Sequence, residues 1–299
     1  MANRMNGVYI PVFTSYDNDD KVNEEALRYH CRYLLDECKV QGLIPCGSTG
    51  GFAFMHDDER EFVIKTVLDE AKGKGKVYAG TAACATRDVV RYTKTAMSWG
   101  ADGVMIVPPY YGGLSQEELF QHYAAVAQGA PEARIILYNN PFSSHSDILP
   151  ETVERLAAFD NIIAIKETTG IMQRVKDIQY RVGNKIEVVC GCDTLPFEFF
   201  LCGVTAWISG SGNLLAKQSE MLYQLAVVQK DFEKADAYFK DVRPAFEIIE
   251  NGPYMAMVIA GIGWRGHPVG SARRPVLPLT EEYVAPLKKE LKRLGYKVD

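Results

Sequence analysis

The sequence predicts an α/β protein, a (β/α)8 TIM barrel with a C-terminal helical appendage. Three observations carry this expectation. Short apolar runs recur about every 25 to 30 residues, the size of one βα unit. Amphipathic helical segments separate the runs. Beyond residue 222 the helical segments follow one another with no strand between them.

The runs, in order, are GVYIPVF (7–13), GLIPCG (42–47), KVYAGTA (76–82) and DGVMIVPP (102–109). They continue with RIILYNNP (134–141), NIIAIKET (161–168), IEVVCGCD (186–193) and TAWISGSG (205–212). Each is short, β-branched and apolar on both faces, as a strand covered on both sides must be. The segments between them read as helices. SQEELFQHYAAVAQ (115–128) opens with Ser115 and, three residues later, Glu118, a capping-box pattern. TRDVVRYTKTAMSWG (86–100) ends on Gly100, a helix stop. LPETVERLAAF (149–159) spaces Leu149, Val153, Leu156 and Ala157 helically. Strand and helix alternating eight times point to a closed parallel barrel over residues 1–222, with an open doubly wound sheet as the alternative. Residues 223–299 form the helical extension. No Pro/Gly/Ser-rich linker precedes it, so it is expected to pack on the barrel.

The 299 residues suit one barrel with an appendage. The net charge of −5, from 33 basic and 38 acidic residues, comes without long charged runs, which argues against nucleic acid or a membrane surface as partner. The N-terminal MANRMNGVYIPVF has no signal-peptide pattern, and no apolar stretch approaches the roughly 18 residues of a membrane span. Seven scattered cysteines suit free thiols and a cytoplasmic location. Cys190 and Cys192 share a strand face, but no second Cys/His cluster completes a tetrahedral site, so no metal is expected.

Barrel enzymes place their chemistry at the C-terminal ends of the strands. Those ends read GSTGG after strand 2, PPYY after strand 4, YNNP after strand 5, KETT in strand 6, GCD after strand 7 and SGS after strand 8. Lys166 stands out because it interrupts the apolar run Ile162–Ile165, where an ammonium would be desolvated. Desolvation favours the neutral amine, a nucleophile. The other reading pairs Lys166 with a buried carboxylate. Tyr138, one strand over at similar height, offers a hydroxyl that relays protons, or else a core aromatic. GSTGG offers backbone N–H groups and two hydroxyls to an anion, a carboxylate rather than a triphosphate, or is simply a loop. Gly261–Gly266 spells GxGxxG, but it follows a helix and is not a dinucleotide site. His145, with Ser143, Ser144 and Ser146, offers contacts to a hydroxylated substrate or forms a solvated loop.

With GSTGG at 47–51, PPYY at 108–111, YNNP at 138–141 and IKETTG at 165–170, the chain resembles the dihydrodipicolinate synthase/N-acetylneuraminate lyase family of class I aldolases. The resemblance runs from about residue 7 to 215 in matching order. It implies a Schiff-base lyase acting on pyruvate or a pyruvate-ended 2-oxo acid, without metal or cofactor. Lys166 would form the imine, and Tyr138 would shuttle protons. Ser48 and Thr49 would grip the substrate carboxylate. Tyr111 would serve the neighbouring subunit's site, in a homo-oligomer built from tight dimers. Gly191 and Ile208 would line the pocket. Two departures matter. The dihydrodipicolinate synthases usually read Tyr-Asn-x-Pro-x-Arg, and Ser143 occupies the arginine position; Gly51 replaces the glutamate after GSTG. A serine cannot supply a bidentate charged fork. The expectation is therefore a 2-keto-3-deoxy sugar acid or similar hydroxylated 2-oxo acid, cleaved or dehydrated. The alternatives are condensation of pyruvate with aspartate semialdehyde and a barrel that binds a metabolite without turnover.

Overall fold

The computed structural model describes residues 5–298. Residues 1–4, part of the N-terminal stretch read above for a signal, lie outside them. Eight parallel strands close in sequence order: β1 (Gly7–Ile10), β2 (Gly42–Leu43), β3 (Lys76–Gly80), β4 (Gly103–Ile106), β5 (Ile135–Asn139), β6 (Ile162–Glu167), β7 (Glu187–Cys190) and β8 (Ala206–Ile208), with β8 pairing back onto β1. Closure rules out the open-sheet alternative. The strands are shorter than the apolar runs that announced them. In the second run Pro45 has no N–H to give a ladder, and β2 ends at Leu43.

Around the barrel lie α1 (Glu24–Arg32), α2 (Asp57–Ala71), α3 (Thr86–Ser98), α4 (Gln116–Gly129), a short α5 (Pro141–Ser144), α6 (Pro150–Leu156), α7 (Met172–Val182), α8 (Pro196–Leu201) and α9 (Gly212–Tyr223). The capping box at α4 is formed, with Ser115 N donating to Glu118 Oε2 at 2.8 Å and Glu118 N to Ser115 Oγ at 3.3 Å.

The N-terminal end of the barrel is closed by two tyrosines over two glycines. Tyr9 pairs with Gly42 across β1 and β2, and Tyr78 with Gly103 across β3 and β4. A Cβ on Gly42 would sit 2.7 Å from the Tyr9 ring, and one on Gly103 would sit 2.8 Å from the Tyr78 ring. The two rings meet edge to face at 5.8 Å, a favoured aromatic geometry.

The appendage comprises α10 (Phe232–Asn251), α11 (Tyr254–Trp264) and α12 (Glu281–Arg293). It packs on the barrel through side chains of both. The Trp207 ring of β8 packs at a tilt against Phe246 of α10, centroids 5.5 Å apart. Arg265 donates to Leu214 O at 3.0 Å and lies over the Tyr296 ring at 4.2 Å. Among the described residues, no helix is long and apolar enough to cross a membrane.

Candidate active site

The register of β5 against β6 sets Tyr138 opposite Lys166 and Asn139 opposite Glu167. Because side chains alternate along a strand, the first pair faces the barrel interior and the second faces the helices. Outside the barrel wall, Glu167 is fully buried. It accepts from Asn139 Nδ2 at 3.0 Å and from Thr169 N at 2.7 Å. Asn139 Nδ2 also reaches Asp147 at 2.9 Å, and Asp147 pairs with Arg174. The backbone under the interior pair is therefore tied from behind.

Lys166 is 5% exposed, and its Nζ stands 4.2 Å from the centre of the Tyr138 ring. Among the described residues it forms no ion pair. The carboxylate alternative for Lys166 therefore finds no partner. Asp193, which lines the same cavity, has both oxygens engaged, accepting from Trp207 Nε1 at 2.9 Å and from Ser211 N at 2.6 Å. Burial raises the Asp193 carboxyl above the usual range, opposed by the Ser211 bonds and by the charge of Lys166. The Tyr138 hydroxyl accepts from Asn140 Nδ2 at 3.0 Å, which leaves its own proton for another acceptor.

Gly191 provides the space in which Lys166 lies. A Cβ there would come within 2.8 Å of Lys166 Cγ and Cε and within 2.5 Å of Thr168 Cγ2. A cavity of about 570 Å³ opens over this group at the C-terminal end of the barrel. Ser48 and Thr49 line it on one side, on a tight turn in which Gly51 takes φ +69° and its N–H bonds Ser48 O at 3.0 Å. Ser143 stands at its mouth with Asn140 and the exposed Phe142.

Three of the singled-out residues lie outside this chain's cavity. Ile208 is fully buried in β8 and does not line the cavity; Gly210, one pleat repeat further on, does. The motif match carried strand position but not depth. His145 is exposed and ends α5 in a left-handed turn (φ +55°), its N–H bonded to Pro141 O at 3.0 Å, outside the cavity lining. Tyr111 is 89% exposed and outside this chain's cavity.

The cavity also has lining that the sequence reading did not assign: Cys192, Asp193 and Thr194 after β7, and Glu250, Asn251 and Tyr254 from the appendage. Glu250 Oε1 accepts from Asp193 N at 3.2 Å. Burial and the neighbouring Asp193 push the Glu250 carboxyl up to about 7. Burial lifts the Cys192 thiol to about 11, so it stays protonated. The sequence signal for the appendage residues is the Glu-Asn-Gly-Pro break at 250–253, which ends α10 and starts α11.

The arrangement can form a covalent imine on Lys166, move protons through Tyr138 and hold a carboxylate on Ser48 and Thr49. Comparison with known proteins shows the family. The sequence model of the Dihydrodipicolinate synthetase family matches residues 4–294. A curated relative from Geotalea uraniireducens, named 4-hydroxy-tetrahydrodipicolinate synthase, is 33% identical over 290 residues, covering 97% of this chain and 98% of the relative. The crystal structure of a putative dihydrodipicolinate synthetase from Pseudomonas aeruginosa superposes with TM-score 0.92 at 31% identity, covering 97% of this chain and 100% of that one. An E. coli K12 prophage protein of the dihydrodipicolinic acid synthase family, solved in complex with pyruvate, gives TM-score 0.91 at 27% identity over 98% of this chain and 100% of its own.

Proposed function

The chain belongs to the dihydrodipicolinate synthetase family, and from that premise we propose that Lys166 forms a Schiff base with pyruvate or a pyruvate-ended 2-oxo acid. One observation carries the reading: a buried amine without an ion-pair partner among the described residues, beside a tyrosine ring, in the wall of a polar cavity. The amine adds to the C2 carbonyl, and loss of water gives an iminium. The iminium withdraws electrons from C3, so a C3 proton leaves and an enamine forms. The enamine carbon attacks an aldehyde to make the C3–C4 bond, or the reverse sequence breaks it. Water then releases the product and restores the amine. Tyr138 exchanges the proton at the oxygen that departs or arrives, and Ser48 and Thr49 hold the C1 carboxylate. Borohydride added with pyruvate should fix a three-carbon adduct, read by intact mass and mapped to Lys166. An unmodified mass, or an adduct on another residue, ends the proposal. A barrel that only binds pyruvate would form no adduct and would not exchange the methyl protons into deuterated water.

For the second reactant, the names of the relatives support the synthase reading, condensation of pyruvate with aspartate semialdehyde, over the sugar-acid reading drawn from the sequence. One observation favours the sugar-acid reading: Ser143 stands at the mouth where the resemblance expects arginine, and among the described residues no arginine lines the cavity. The two part on one experiment. If the missing fork limits condensation, Ser143→Arg raises the rate with aspartate semialdehyde; a rate already high in the unaltered enzyme and unmoved by the arginine discards the hydroxylated-acid reading. Assembly into a homo-oligomer that brings Tyr111 to a neighbour's cavity is the matching proposal for the exposed tyrosine. Sedimentation and the activity of Tyr111→Phe test it.

A further inference from the structure

We propose that Asn140 is a positioning residue for the proton transfers of Tyr138: its amide fixes which way the hydroxyl proton points and supports the oxygen once that proton has left. This rests on the Schiff-base reading of Lys166. Asn140 follows β5 directly and lines the same cavity as Lys166 and Tyr138. Its Nδ2 lies 3.0 Å from the Tyr138 hydroxyl oxygen. The orientation of the amide is set on its other side. Asn140 is the N-cap of α5, and its Oδ1 accepts from Ser143 N at 3.2 Å, an N–H shared with Asn140 O. The cap requires oxygen there, so nitrogen faces the tyrosine. An amide nitrogen donates and does not accept, so the Tyr138 proton has to point elsewhere. Tyr138 itself lines the cavity, where the Lys166 amine stands 4.2 Å from its ring.

The turn that carries Asn140 is built to hold this geometry. Pro141 keeps the residue before it out of the helical region, and Asn140 takes φ −139° and ψ 80°. The fully buried Ser144 hydroxyl lies 2.9 Å from Asn140 O and 3.0 Å from Ser146 O. Ser146 Oγ accepts from Leu114 N at 2.9 Å, which ties the turn to the loop after β4. The serines after YNNP therefore brace the asparagine. In the steps this serves, Tyr138 gives its proton to the carbinolamine hydroxyl, the C2–O bond breaks, water leaves and the nitrogen lone pair closes the C=N bond. The phenolate left behind takes the C3 proton as the enamine forms, and the hydroxyl is restored. Between the two transfers the Nδ2–H bond runs to an oxygen that carries charge, where a hydrogen bond is stronger than at the neutral hydroxyl. The amide thus stabilises the developing charge more than the resting state.

Two substitutions keep the cap and change what Tyr138 meets. Asn140→Ser leaves an oxygen for Ser143 N but is too short to reach the tyrosine. Asn140→Asp also caps, yet it presents an acceptor, so the tyrosine proton turns toward it and away from the substrate. The readout is exchange of the pyruvate methyl protons into deuterated water, followed by NMR, together with KM for pyruvate and the borohydride adduct after full incubation. Asn140→Ser should slow exchange at saturating pyruvate by about tenfold or more, the worth of a hydrogen bond to a charged group, and Asn140→Asp should slow it further. KM for pyruvate and the final adduct yield should stay within about twofold of wild type, because the amide acts on proton transfer and not on the grip of the carboxylate. Exchange by Asn140→Ser within about twofold of wild type, or an Asn140→Asp no slower than Asn140→Ser, overturns the proposal. So does a loss that appears as a raised KM or a lowered adduct yield, since a turn that had only come apart would do the same. A wild type that neither exchanges the methyl protons nor forms the adduct is a different failure, that of the reading beneath it.

Discussion

The two ends of the barrel use the same device to opposite effect. At the N-terminal end, Gly42 and Gly103 give up their side chains so that the Tyr9 and Tyr78 rings can lie over them and plug the interior. At the C-terminal end, Gly191 makes room for the stem of Lys166, and the space above stays open as a cavity of about 570 Å³. The residue type and the close approach are alike; what fills the space differs. Rings that touch each other give density, and an amine held 4.2 Å over one ring, without an ion pair among the described residues, is left free to react. Size alone does not mark the working end. A larger hollow, about 810 Å³, lies among Lys65, Lys72–Lys76 and Trp99 near the start of β3. Charges there pair with one another, Lys76 with Asp102 and Lys74 with Asp36, both at 2.7 Å.

Substitutions at the two ends should therefore separate activity from stability. The largest effect is expected from Lys166→Ala. Turnover should fall by on the order of a thousandfold or more and the borohydride adduct should vanish, while the thermal midpoint stays near that of the parent. A variant that kept its rate would remove the contrast altogether. Gly191→Ala comes next. Its Cβ displaces the lysine stem, and a shift of about 1 Å at a reacting group costs about a hundredfold, to be read in kcat under saturating pyruvate. The counterpart is Gly42→Ala, where overpacking against Tyr9 should cost about 1–3 kcal/mol in urea unfolding and leave kcat within about twofold. Should Gly42→Ala silence the enzyme without destabilising it, the division between the ends is wrong. At the rim, Thr49→Val should raise the KM for pyruvate about tenfold, with a smaller change in kcat.

The last effect concerns acid. His30 on α1 is fully buried, and desolvation lowers it to about 3. Its Nε2 sits 3.0 Å from Asn213 Oδ1. Asn213 Nδ2 donates to Pro11 O and Gly210 O, at 3.0 and 2.9 Å, joining the ends of β1 and β8. An unfolded histidine takes its proton near pH 6.5, and the folded one refuses it until about 3. Protons thus bind the unfolded chain preferentially in this window. Stability is intact above pH 6.5, declines as pH falls, and levels off near 3. Between pH 7 and 5 the loss from this group is about 2 kcal/mol, absent in His30→Gln, and comparative denaturant curves at the two pH values measure it.

Much of this was legible before any coordinates. Strands covered on both faces announce themselves as apolar runs, and a lysine inside one of them is conspicuous, so Lys166, Tyr138, Ser48 and Thr49 could be placed together from strand ends and the family resemblance that their motifs carry. What escaped depends on packing at long range. Glu250 and Tyr254 sit on helices whose amphipathic pattern tells which face is buried but not against what. Ile208 had the right strand and the wrong layer, since alternation gives the side of the sheet and not the height above the floor. His145 belonged to a polar run whose orientation was settled by the four-residue helix before it.

The seam between β1 and β8 has a bearing on how the chain must be made. Asn213 and Pro11, bonded across it, are 202 positions apart. Until the eighth strand leaves the ribosome, β1 and the latest strand each expose an unpaired edge, and the curved sheet has nothing to close on. A transcript truncated anywhere before that point would yield a chain with two adhesive rims, open to chaperones or to other copies of itself.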